Sequence, residues 1–101
     1  MKFVLAYTFH PGGSSAEFEE TEKRSMQILG KWQPSVQVSE WVDRLDGNGG
    51  FAVFEADDPA LIMKDIAVWA PFLHFDLYPV LDVGEATPVQ QEAMDFRDGI
   101  S

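Results

Sequence analysis

Residues 41–81, WVDRLDGNGGFAVFEADDPALIMKDIAVWAPFLHFDLYPVL, admit few folds, because every change of hydrophobic period is marked by residues that force a turn or a cap. Just upstream, residues 36–43 alternate Val36, Val38 and Val42 against Gln37, Ser39 and Trp41, the period of a strand. Asp46-Gly47-Asn48-Gly49-Gly50 then supplies residues that tolerate positive φ and turns the chain into a strand over residues 51–55, giving an antiparallel hairpin. Asp58 as N-cap and Pro59 at the first helical position start a helix in which Ile62, Ile66 and Trp69 recur at helical spacing until Pro71 stops it. A strand over residues 73–81 follows. Pro79 cannot donate to a ladder, so that strand belongs at a sheet edge.

The flanking segments extend the pattern. Residues 2–9 read as a strand with Phe3, Leu5, Tyr7 and Phe9 on one face and Val4, Ala6 and Thr8 on the other, ended by His10-Pro11-Gly12-Gly13. Ser14 with Glu17 forms a capping box for a helix to about residue 29, where Gly30 can end it; Phe18, Thr21, Ser25 and Leu29 share a face, with Met26 beside them. After a break at Gly84, Thr87-Pro88 with Gln90 reads as the cap of a short last helix, lined on one side by Val89, Ala93, Phe96 and Ile100. The expected division is a domain over residues 1–82 and a tail over 83–101. The order β-α-β-β-α-β, with right-handed crossovers, predicts an α+β ferredoxin-like fold with both helices on one face of a four-stranded antiparallel sheet of order 4-1-3-2.

Composition removes several function classes. At 101 residues the chain is one domain, and 46% hydrophobic content excludes a disordered class. Cysteine is absent, which rules out disulfides, thiolate metal sites and cysteine nucleophiles. A net charge of −10 repels phosphate backbones and anionic lipid, so neither a nucleic acid nor a membrane is an expected partner. No apolar run approaches the roughly 20 residues that cross a bilayer. The opening MKFVLAYTF reads as a strand rather than a signal peptide, and a cytoplasmic location is the expectation.

Two helices cover one face of such a sheet. The other face still carries large residues, so a second copy is the expected cover, and two sheets packed face to face form a dimeric α/β barrel with an interior cavity. The stretch SEWVDRLDGNGGFAVFEADDPALIMKDIAVWAPFLHFDLYPVL, with MKFVLAYTF before it, resembles a family of small, mostly bacterial proteins described only as a domain of unknown function. The resemblance is carried by Trp41-Val42-Asp43, Phe51, residues 55–61 (EADDPAL), Trp69, Leu73, Phe75 and Pro79-Val80-Leu81. That family is similar to the dimeric α/β barrel group, which also holds cofactor-free monooxygenases, isomerases and haem-degrading enzymes; the fold alone does not fix which chemistry, if any, follows.

His74, Asp76 and Tyr78 alternate on one face of the last strand, which sets an imidazole, a carboxylate and a phenol in a row. Asp76, desolvated in a dimer cavity, is the candidate general base, with His74 or Tyr78 donating or accepting the matching proton and His74 the alternative base. Tyr7 and Trp41 are expected on the same side as Tyr78, where their rings suit stacking on a small apolar or aromatic ligand. No metal or cofactor is expected. His74, Asp76 and only His10 or Glu55 besides offer ligands, without a histidine pair at ligand spacing, and neither histidine sits on a ligating helix suited to haem. Three functions follow from this reading: a homodimer that binds a small molecule between facing sheets, a cofactor-independent monooxygenase or isomerase acting on an aromatic or enolisable substrate, or a structural or regulatory dimer without ligand.

Overall fold

The computed structural model describes residues 1–10 and 13–100; the expected turn residues Pro11 and Gly12 lie outside them. Seven elements follow in order: β1 (Lys2–Phe9), α1 (Ser15–Leu29), β2 (Gln37–Asp43), β3 (Gly50–Glu55), α2 (Pro59–Trp69), β4 (Leu73–Val80) and α3 (Val83–Asp98). The strands form one antiparallel sheet of order β2-β3-β1-β4, which places the Pro79 strand at an edge. This is the ferredoxin-like arrangement with an added C-terminal helix.

The helix starts obey their caps. Ser14 Oγ accepts the Glu17 N–H at 3.2 Å, and the Asp58 carboxylate accepts the Ala60 N–H at 2.9 Å with Pro59 opening the helix. Beyond α1, the Lys31 and Trp32 N–H groups both donate to the Ile28 carbonyl, a turn that carries Trp32 back toward the sheet. The core between helices and sheet holds Tyr7, Ala52, Phe54, Ile62 and Trp69, with Phe3 stacked on Phe54 at 5.3 Å.

Two expectations about local structure need correction. The last helix does not begin at Thr87: it starts at Val83, runs 16 residues and continues through Pro88. Thr87 is not a cap; its hydroxyl donates inside the helix to the Val83 carbonyl at 2.8 Å. Proline at this depth has no N–H to give the Gly84 carbonyl, which is left without its usual helical donor. α3 buries none of its residues and extends from the body, so the molecule measures 64 × 27 × 21 Å.

The second correction concerns β2. The alternation expected from Val36 to Trp41 is interrupted: Val38 pairs with Phe54 and Glu40 with Val53, leaving Ser39 as an extra residue whose hydroxyl donates to the Val53 carbonyl at 3.1 Å. From that bulge onward every side chain of β2 changes face. Trp41, opposite Ala52, therefore lies on the helix side with Val38, and Val42, opposite Phe51, lies on the open side.

Candidate functional site

Between the sheet and the two helices lies a cavity of about 190 Å³. Its floor comes from alternate residues of the strands, among them Leu5, Tyr7, Ala52, Phe54 and Phe75, and its roof from Ser25 and Leu29 of α1 and Ile62, Ile66 and Trp69 of α2. The space exists where α1 presents a small polar residue, Ser25, inward. Ser25 is buried, and its hydroxyl donates to the Thr21 carbonyl at 2.9 Å, so a polar residue faces the sheet without an unsatisfied group and without filling the gap.

All three tryptophans of the chain line this cavity. Trp32 stands at right angles to Trp41, with centroids 5.9 Å apart, and at 86° to Trp69, 5.5 Å away. Such edge-to-face pairs hold one another's orientation. Trp69 is anchored further by Phe72 at 6.5 Å.

At one end the aromatic wall joins a short polar chain. The Trp41 indole N–H donates to the Tyr7 hydroxyl at 2.6 Å, and that hydroxyl donates to Asp43 Oδ1 at 2.7 Å. Tyr7 is on β1 and Asp43 on β2, with β3 between them; the phenol crosses because the intervening position is Gly50. A Cβ there would collide with the Tyr7 ring and hydroxyl and with the Val42 carbonyl. Gly49 beside it sits at φ +132°, and a Cβ would run into the Tyr7 backbone, so both glycines are required by the way β1 passes the hairpin. Burial, and then the bond to Asp43, push the Tyr7 phenol up to about 12, so it remains a neutral donor and is no base.

Asp65 is the second carboxylate of the cavity and is itself buried. It lies on the α2 stripe between Ile62 and Trp69, and its two oxygens accept the Ser35 N–H at 3.1 and 2.8 Å, pinning the loop that enters β2. Among the described residues no lysine, arginine or histidine lines the cavity, and neither Asp43 nor Asp65 has an ion-pair partner.

The site residues expected from sequence are thus divided between two faces. Tyr7 and Trp41 come together on the helix side. Tyr78, Asp76 and His74 pair with Val4, Ala6 and Thr8 and lie on the opposite, open face, so the expectation that Tyr7 and Trp41 share a side with Tyr78 is corrected. For Trp41 the reason is the Ser39 bulge; for Tyr7 it is that the phenol sits opposite Phe75, whose neighbours His74 and Asp76 point the other way. His74 Nε2 and Asp76 Oδ1 are 3.9 Å apart and mostly exposed, at 65% and 58%. His10 donates from Nε2 to the Ala70 carbonyl at 3.1 Å, tying the end of β1 to the end of α2. Among the described residues no three His, Cys, Asp or Glu side chains converge as a metal-ligand set.

Sequence reasoning missed Trp32, Asp43, Asp65 and Ser25. Asp65 had a readable signal, a carboxylate inside the apolar stripe of a helix. Trp32 had none, because it belongs to a loop without periodicity.

Comparison with curated proteins finds no match. Residues 1–94, covering the whole sheet, both packed helices and most of α3, match the family described as Domain of unknown function (DUF3303), and the chain is a member of that family.

Proposed function

We propose that this protein binds a small, largely apolar molecule in the cavity between its sheet and helices, and that it does so as a homodimer. The observation that carries the first part is the concentration of Trp32, Trp41, Trp69 and Tyr7 around about 190 Å³ of space, with a few hydrogen-bonding groups, Asp43 and Asp65 among them, in an otherwise apolar lining. Apolar walls with a few convergent polar groups are the ordinary composition of a ligand site. An apolar cavity of about 150 Å³ accepts a benzene ring, so this one suits a single ring with a short substituent.

The second part rests on surface. A compact monomer of this mass would expose about 5,700 Å², whereas this chain exposes 7589 Å². The excess exceeds the roughly 800 Å² per partner of a standard interface. Much of it is apolar: Val42, Phe51 and Tyr78 on the open sheet face are 46–54% exposed, and Val89 and Phe96 of α3 are 58% and 70% exposed. A second copy that covers the sheet face, with α3 reaching across to it, would remove both patches.

The binding reading is favoured over catalysis because His74 and Asp76 stand on the other side of the sheet from the cavity, while the cavity's own carboxylates, Asp43 and Asp65, are engaged by the Tyr7 hydroxyl and the Ser35 N–H. The test is calorimetric titration with benzyl alcohol, using wild type and Ser25→Leu. The wild type should bind and the cavity-filled variant should not, while melting at the same or a higher temperature. Equal binding by both would remove the cavity from the site.

A further inference from the structure

We propose that the cavity selects an organic cation, an amine or quaternary ammonium carried on a small apolar group, over neutral or anionic molecules of the same shape. This rests on the cavity being the ligand site and deepens that reading.

The charge of the lining is one-sided. Asp43 and Asp65 contribute two carboxylates, and among the described residues no cationic side chain answers either of them. Their hydrogen bonds come from neutral donors, the Tyr7 hydroxyl and the Ser35 N–H, which leave acceptor capacity on both groups. An anionic ligand would meet like charge without compensation. A neutral alcohol could donate to a carboxylate, but only a cation gains the full Coulomb attraction.

The walls agree with the charge. Indole is the best aromatic partner for an ammonium group, and three indoles set nearly at right angles enclose one space. Trp41 is 46% exposed and Asp43 is also exposed, so this end opens to water. A charged head there keeps part of its hydration, while the apolar body lies among Phe54, Ile62 and Trp69. The net charge of −10 adds long-range attraction for a cation.

The experiment compares benzyltrimethylammonium, benzyl alcohol and benzoate by calorimetry at about 0.1 M salt, on wild type, Asp43→Asn and Ser25→Leu, with Ser25→Val as the milder filling variant. The ammonium should bind about tenfold tighter than the alcohol and benzoate should bind weakest, with the advantage over the alcohol reduced to about threefold or less in Asp43→Asn. Filling at position 25 should weaken the ammonium by at least about tenfold. Alcohol or benzoate binding as tightly as the ammonium would overturn the charge preference and leave the cavity reading standing. Ammonium binding unchanged in both filled variants would mean attraction to the acidic surface and overturn the proposal. No binding of any of the three at 10 mM would overturn the cavity reading with it.

Discussion

Tyr7 joins β1 to β2 across β3 through one hydroxyl, and its behaviour follows from what surrounds that oxygen. It accepts a hydrogen bond from the Trp41 indole N–H and donates one to Asp43, across a position that only glycine can occupy. Gly50→Ala should therefore displace the phenol, cost about 1–3 kcal/mol and change Trp41 emission; an unchanged urea midpoint and spectrum would show that the phenol does not pass over Gly50. Tyr7→Phe removes the two hydrogen bonds while keeping the ring, at a cost of about 1 kcal/mol near neutral pH. Its signature is in alkali. The folded phenol holds its proton up to about 12, against 10.0 for the free group, so its contribution is complete below pH 10 and is lost as pH rises from 10 toward 12. Urea unfolding between pH 9 and 11.5 should fall more steeply for wild type than for Tyr7→Phe; parallel curves would contradict the assignment.

At the scale of elements, α2 carries the core through Trp69, which is 9% exposed and touches Trp32 and Phe72. Trp69→Ala should cost about 3 to 5 kcal/mol in chemical denaturation, and an unchanged midpoint would mean that the helix is not seated by this residue. Most elements were legible because period and punctuation coincided: the hairpin at Gly47-Asn48-Gly49-Gly50, the Ser14 and Asp58 caps and the edge position of the Pro79 strand all stand as read. The site was less legible. A β-bulge has no reliable sequence mark, and the single extra residue Ser39 reversed the face assigned to Trp41. Asp43 and Tyr7 meet only because an intervening strand supplies glycine, a relation among three strands that no local pattern contains. Thr87-Pro88 resembled a helix start, and the helix instead runs through it from Val83, with the one hydrogen bond that Pro88 cannot donate lost in the second turn.

The whole molecule has two unlike faces: a sheet face closed by helices around a cavity, and an open face rich in apolar side chains. No helix among the described residues is long and apolar enough to cross a membrane. If the open face is covered by a second copy, Phe51→Glu should convert a dimer to a monomer in light scattering and leave titrations of the cavity unchanged, because Phe51 lies on the opposite side of the sheet from Ala52. A wild-type monomer at micromolar concentration would refute the dimer. The cavity itself is tested most directly by nitrogen–proton NMR during titration with benzyl alcohol, since the chain has three tryptophans and all of them line it. The three indole N–H resonances should shift together at saturating ligand, while the amides of His74, Asp76 and Tyr78 stay nearly still. Shifts confined to those three amides, with silent tryptophans, would place the ligand on the open face and contradict the account.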